Sequence, residues 1–565
     1  MWSAACAKFC KEGRAGRGCE TIQRSQHVNA RVLRAVGVNP VDREGGRLGG
    51  RKDVFLPKGG TLVRANQRSP DAVCERSSSA SDLREGFPET RAPGYDECVI
   101  RRAMLCLLLL TASCLSAAGP VYVVLWFDTE DYIEPAADDA ALRIAKDLTA
   151  EGVRATFKVV GEKARVLETR GRRDVLLALS KHAIGYHSNW HSVHPTPAEY
   201  LVRLGYVEGA AEFERREAAG VADVKRIFGV QPVCYGQPGS SWGPQANLAL
   251  RRLGIPVYLD EGDQVGLDEQ PFWYGGLLYV FRMGRNQFRA QLNVGADDPA
   301  AYLRFDEAAA RLEAAGGGVI SIYYHPTEFV TTEFWDAVNF AHGASPDRDR
   351  WVKPRRRTAE DSERCYGVLR RFVQHMKHRP GVRFVTPKDL LSLYASPAPH
   401  AVSLQDVAAH LSRHIVFGEV NGAMLSPAEM VTTLLEGKPR MVDGPTGSGR
   451  TTYSKSSIPT ALFRRAVADA GDYVRHFDRL PNEVFLGAET LSLADFAATL
   501  AGSSGRDGDV SVAHGSIEFE SYFASDGRRS FNWIIHPEGF DGASLLELAR
   551  LQGWTLKPAR FAAHK

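Results

Sequence analysis

From residue 120 onward the chain alternates short apolar runs with longer stretches of helical period. VYVVLWFD (121–128) is dense in β-branched and aromatic residues and predicts a strand. DDAALRIAKDLTAEG (138–152) carries its apolar residues on one helical face and closes at Gly152. RATFKVVG (154–161) predicts a second strand, KARVLETRGRRDVLLALSKH (163–182) a helix, and AIGYH a short strand. Residues 197–229 read as long helical material. The apolar runs VCYGQP, VYLD, LYVFRM and VISIYYH follow, with helical patterns between most of them, and VRFVTPKDLLSLYA (382–395) supplies a last strand and helix. Repeated strand–helix units predict an α/β fold on a parallel sheet, and six or seven of them predict a distorted (β/α) barrel of about seven units over 120–395.

The pattern changes after SPAPH (396–400), which reads as a linker. GAMLSPAEMVTTL (422–434) and GAETLSLADFAATL (487–500) match as Gly-Ala, then Leu-Ser-x-Ala, an acid, an apolar residue and Thr-Leu. An internal repeat of this spacing predicts a C-terminal, mainly helical repeat region over 401–565. Each copy sets a serine three residues before an acid, at or near a capping box.

Composition places the chain among globular proteins: 44% of residues are apolar and 24% charged, and a net charge of +3 argues against a general nucleic-acid binder. Residues 1–103, rich in Arg, Gly and Ser, predict a disordered leader or a start site assigned too early. Arg101-Arg102 followed by the apolar run and the small Ser116-Ala-Ala118 ending has the layout of a signal peptide over 104–118, and so predicts export to the periplasm, cell surface or medium. Cys234 and Cys365 are the two cysteines beyond that run, and the sequence leaves their pairing open. GPTGSGRT (444–451) has phosphate-loop spacing with Arg450 in place of lysine; without a helix after it, it reads as a turn, and no nucleotide is expected there.

Four apolar strands run into polar groups: Asp128-Thr-Glu130-Asp131, His187-Ser-Asn-Trp190-His191, Asp260, and His325-Pro326. Parallel barrels place working residues at these carboxyl ends. His187 and His191 stand at i and i+4, so one helical turn or a helix-like loop would aim both the same way. Two imidazoles and one carboxylate can hold a divalent ion with a position left open, as a hydrolytic site needs. Such an ion lowers the pKa of water to about 7 and polarises a carbonyl. His194 reads as loop and His182 as a helix-end residue, where a cation is favoured.

On these residues the chain resembles the polysaccharide deacetylase family, the NodB-homology carbohydrate esterases. HSNWH (187–191) matches the family's His-Ser/Thr-x-x-His motif, FDTED (127–131) its acidic motif and YYHP (323–326) its late-strand histidine. The resemblance implies Asp128 as general base, and Glu130 as the metal ligand beside His187 and His191, with Asp131 the competing ligand. It implies His325 as general acid, a buried strand-end histidine being the alternative, and zinc as the expected ion. The third motif departs. The family usually has Arg-x-Pro where this chain has Tyr235-Gly-Gln237-Pro238-Gly239, so the expected acidic partner, Asp260 or Asp263, is left without its cation. Another arginine substitutes, Gln237 does a neutral version of the job, or activity is altered. Trp190 and Trp242 are candidates to line a sugar site, with a core role as the alternative.

The implied function is an exported metal-dependent hydrolase that removes N-acetyl, or O-acetyl, groups from a polysaccharide or peptidoglycan. The alternatives are a hydrolase of a small non-sugar amide and a catalytically weak glycan-binding protein. DYVRHFDRLPNEVFLGAETLSLADFAATLA (472–501) also resembles the pseudomurein-binding repeat, which implies cell-wall attachment through 401–565.

Overall fold

The computed structural model describes residues 119–394 apart from 294, together with 402–503 and 508–561. The leader and the export segment expected over 1–118 lie outside the described residues. Nine strands form most of the large sheet: β1 (Val121–Thr129), β2 (Thr156–Val159), β3 (Ala183–Tyr186), β4 (Cys234–Tyr235), β5 (Val257–Leu259), β6 (Phe272–Tyr274), β7 (Leu277–Val280), β8 (Gly318–Tyr324) and β9 (Val382–Phe384). The order β8-β1-β2-β3-β4-β5-β7 runs parallel throughout. Among the described residues β7 and β8 share no ladder; an isolated parallel bridge, Gln287 to Ser321, joins the segment after β7 to β8, which makes the barrel distorted. β1 changes partner midway along one edge, meeting β9 at Val121–Val123 and β2 at Trp126–Thr129.

The apolar runs of the sequence are strands buried on both faces, as parallel strands under helices must be. Their side chains divide by parity. Val121, Val123, Leu125 and Phe127 join the large core beneath the helices. Tyr122, Val124 and Trp126 join a second core with Cys234, Val257, Leu259 and Val280, which fills the barrel interior. Alternation with period two therefore aims the even-numbered positions of β1 inward.

Two expected helices are each divided in two. Gly171, with φ of +68°, separates Gly161–Thr169 from Arg173–Leu179, and the 197–229 stretch splits into Pro197–Leu201 and Tyr206–Phe228. β6, which the periodicity missed, pairs with β7 across Gly275-Gly276, both at positive φ in a two-residue hairpin.

The repeat is a duplicated helix–hairpin–helix. Helix Leu404–Leu411, hairpin Gly418–Leu425 and helix Pro427–Glu436 form one copy; helix Thr460–Phe477, hairpin Glu483–Ser492 and helix Leu493–Ser503 form the other. Ser426 and Glu429 make the full capping box, while in the second copy Ser492 Oγ accepts from Asp495 N. No helix directly follows 444–451, and the amides of Thr446 and Gly447 donate to Asn482 Oδ1. The chain then returns to the barrel. Strand Lys557–Pro558 adds antiparallel to β6, so the last segment of the C-terminal region is part of the large sheet.

Cys234 and Cys365 are both free and buried. Trp242, a candidate for the sugar site, is fully buried in the large core and stacks on Tyr274 at 6.5 Å. It packs the fold and cannot meet a ligand from solvent. Trp242→Ala is expected to cost about 3–5 kcal/mol in urea unfolding.

Candidate active site

Five strands end at one mouth of the barrel. Asp128, His187, Gly236 and His325 occupy the inward positions at or just beyond the ends of β1, β3, β4 and β8, and Asp260, which follows the inward-facing Leu259 of β5, lines the same mouth out of that alternation. The His187–His191 segment is a loop and not a helical turn, the two forms that the i,i+4 spacing left open. Ser188 and His191 take left-handed conformations, φ +63° and +57°, and Ser188 Oγ accepts from His191 N at 2.9 Å. A non-glycine residue in that region costs of order 1–3 kcal/mol, and such strain clusters at functional sites.

The strained loop brings three ligand atoms together. Glu130 Oε2 lies 2.8 Å from His191 Nε2 and 3.4 Å from His187 Nε2, and the two Nε2 atoms are 3.2 Å apart. Ion–ligand bonds of about 2.0–2.1 Å place neighbouring ligand atoms roughly 3–3.4 Å apart, so this spacing fits one divalent ion. The surroundings fix the tautomers. His187 Nδ1 donates to Gly236 O at 3.0 Å; His191 Nδ1 donates to Ser192 Oγ at 2.7 Å, which in turn donates to Asp336 Oδ2 at 3.1 Å. With both Nδ1 atoms carrying protons, both Nε2 lone pairs face Glu130, an arrangement that calls for a cation. When protons rather than an ion sit on the Nε2 atoms, His191 and His187 outweigh the burial that opposes charge on Glu130 and hold it well below the ordinary carboxylate range. Asp131 faces elsewhere: it accepts from the amides of Ile133 and Glu134 and from Thr327 Oγ1. Glu130, not Asp131, meets the imidazoles.

Beside the triad, Asp128 and His325 face each other, Oδ2 to Nε2 at 3.6 Å. His325 Nδ1 lies 3.0 Å from Glu328 Oε2, and Arg289 holds both oxygens of Glu328 at 2.7–2.8 Å. Burial works against a charged imidazole, but Glu328 outweighs it, with Glu130 and Asp128 adding, and raises the His325 pKa to about 9. The cation beside Asp260 is a lysine, not an arginine. Lys158 Nζ lies 2.9 Å from Asp128 Oδ1 and 2.5 Å from Asp260 Oδ2. Asp128, His187 and Asp260 also cluster as metal ligands do, but the ammonium already lies between the two carboxylates. Gln237 lines the cavity with its amide nitrogen spent on the carbonyls of Gly239 and Glu261, so it supplies no substitute charge. Asp263 lines the cavity but lies outside the Lys158 contacts.

The cavity at this mouth measures about 420 Å³. One wall comes from far along the chain: Ser530, Asn532 and Trp533 line it, and Trp533 Nε1 donates to Asp336 Oδ2 at 3.1 Å. Sequence reasoning missed Lys158, Glu328, Asp336 and Trp533. A lysine inside the apolar strand RATFKVVG and an acid three residues beyond His325 were the readable signals for the first two. Trp190 does not line the cavity; it is partly exposed beneath the Arg165 guanidinium, 4.8 Å from its ring centre. His194 pairs with Glu199 at 2.7 Å. His182 is buried against Ala145 O and Ala155 N, and burial lowers its pKa, so the expectation of a helix-end cation does not hold.

No protein-family model and no curated protein matches the chain. Among solved structures it is similar to a Mycobacterium smegmatis protein assigned as a polysaccharide deacetylase, at 15% identity over 49% of this chain and 90% of that one, TM-score 0.31. It is similar to Puue allantoinase at 14% identity over 50% and 93%, TM-score 0.34. A third is a mutant of BA3943, a CE4 family pseudoenzyme with restored enzymatic activity, at 12% identity over 49% and 68%, TM-score 0.26. Likenesses at this level assign neither activity nor ligand, which must be argued from the cavity.

Removing one candidate ligand and removing the support of another should differ in degree. By elemental analysis, His187→Ala is expected to lose the bound divalent ion, and Ser192→Ala to keep the site with affinity lowered about 10–100-fold.

Proposed function

We propose that the protein is a metal-dependent hydrolase that removes N-acetyl groups from a polysaccharide or peptidoglycan. The observation that carries the reading is one cavity in which a base, an acid and a divalent-ion triad meet: Asp128 Oδ2 and His325 Nε2 lie 3.6 Å apart, beside the triad of Glu130, His187 and His191. When bound, the ion, with zinc expected for two histidines and a carboxylate, supplies Lewis acidity towards the amide carbonyl and the attacking water.

The remaining steps belong to the chain. Asp128 Oδ2 accepts a proton from water as its oxygen bonds to the carbonyl carbon. His325, cationic and steadied by Glu328, gives its Nε2 proton to the leaving nitrogen as the C–N bond breaks. Acetate and a free amine result. A positioned acid or base is worth about 10²–10⁴-fold each.

A polysaccharide substrate rests on the motif resemblance stated above, and export on the basic, apolar and small-residue layout of 101–118. The wall from 530–533 favours a second reading, a small amide or the end of a short chain, because Ser530, Asn532 and Trp533 add lining to the cavity. Wall attachment through 401–565 rests on the resemblance of 472–501 alone.

Acetate release from acetylated chitin oligomers and from peptidoglycan is the direct test. Wild-type protein should release acetate, and Asp128→Asn should lower kcat by about 10²–10⁴-fold with the metal retained. Absence of acetate from both substrates, with the ion bound, would overturn the reading. The acid imposes a pH limit as well. A histidine with pKa raised to about 9 stays protonated through neutral pH and fails as an acid above that value. The basic limb of kcat/KM should therefore lie near pH 9, and Glu328→Gln should move it down towards the ordinary histidine value of about 6.5.

A further inference from the structure

Lys158 sits fully buried on an interior strand, where a lysine is among the least expected residues. Phe157 and Val159 face the helices, so parity aims Lys158 into the barrel. Its side chain crosses the interior over two strands to reach Asp260 beyond the end of β5. Glycines clear that path. A Cβ on Gly185, its register partner in β3, would come 2.9 Å from Lys158 Cγ; one on Gly236, just after β4, would come 2.2 Å from Nζ and 2.1 Å from Asp260 Oδ2. The face of Trp126 covers the ammonium at 4.0 Å from the ring centre. Gly236 also stands at the place where the third motif would carry its arginine.

We propose that Lys158 is the positioning residue of the general base, reaching from β2 into the space that Gly236 leaves open. Its charge pairs with Asp128 Oδ1 and so holds Oδ2 towards the cavity and His325. Both halves of that geometry are present: Oδ1 is 2.9 Å from Nζ, and Oδ2 is 3.6 Å from His325 Nε2. The second contact, to Asp260, anchors the ammonium from the far side, and cation and ring hold each other in a dry interior. The assignment rests on the reading of Asp128 as base in the proposed hydrolysis.

The competing role is charge balance alone, with Lys158 present only to neutralise Asp260. Two variants of the full zinc-loaded chain separate the roles. Lys158→Met leaves Asp128 and Asp260 facing each other without a cation and is expected to lower both Tm and kcat. Lys158→Met/Asp260→Asn removes one charge of each sign. Under the positioning role the double variant recovers Tm but stays about 100-fold low in kcat at unchanged KM, the effect of a misplaced catalytic group. Recovery of kcat together with Tm would overturn the proposal.

A crystal structure of the double variant reads the same role without turnover. Asp128 is expected to rotate so that Oδ2 no longer faces His325, and an unmoved carboxylate would overturn the proposal. Loss of acetate release already in the wild type would count against the hydrolase reading, while the Asp128 orientation would still decide the assignment of Lys158.

Discussion

The mouth of the barrel must bury carboxylates side by side. Asp128, Glu130, Asp260 and Asp336 are all shielded from water there. Carboxylates so placed cannot all stay ionised without cations among them, because burial removes the water that would otherwise screen them. Lys158 meets this need for Asp128 and Asp260. Trp533 and Ser192 share Asp336 through hydrogen bonds, and Glu130 is left with two imidazoles that can either bind protons or give their lone pairs to an ion. The rest of the site follows from this distribution. Lys158 is held protonated because Asp128 and Asp260 together outweigh the burial that would otherwise discharge it. Deleting one partner of such a pair costs about 3–5 kcal/mol, since the orphaned charge has no water to turn to.

The same constraint explains why the C-terminal region does more than follow the barrel. Its last strand extends the sheet at β6, and its segment around Trp533 packs over Gly239, a glycine at φ +52° whose added Cβ would strike the indole at 2.3 Å. From there a chain of hydrogen bonds runs through Asp336 and Ser192 to His191. The His191 imidazole is thus linked by hydrogen bonds to a residue more than three hundred positions further along. The C-terminal region therefore supplies part of the site, and the two helix–hairpin–helix units precede the segment that lines the cavity.

Much of this was legible in the chain. The apolar runs marked β1 to β5, β7 and β8 because strands covered on both faces read as continuous hydrophobic stretches. The polar residues ending those runs marked the site, because parallel barrels work at their carboxyl ends. Asp128, Glu130, His187, His191, Gln237, Asp260 and His325 do share one cavity. Gly275-Gly276 and Gly171 were weaker signals: β6 is too short to show a period, and one glycine does not by itself announce a break between two helices.

By itself the sequence determined local form and parity, and so which residues point inward together. The tertiary structure alone decided which of them meet. Lys158 and Asp260 are about a hundred positions apart, and Trp533 and Asp336 nearly two hundred. Nothing in either neighbourhood names its partner. An ammonium reaches the carboxylates at the mouth because β3 and β4 lie between β2 and β5 and carry glycines where it crosses. Strand order and inward volume belong to the folded barrel, and no local stretch of the chain contains them.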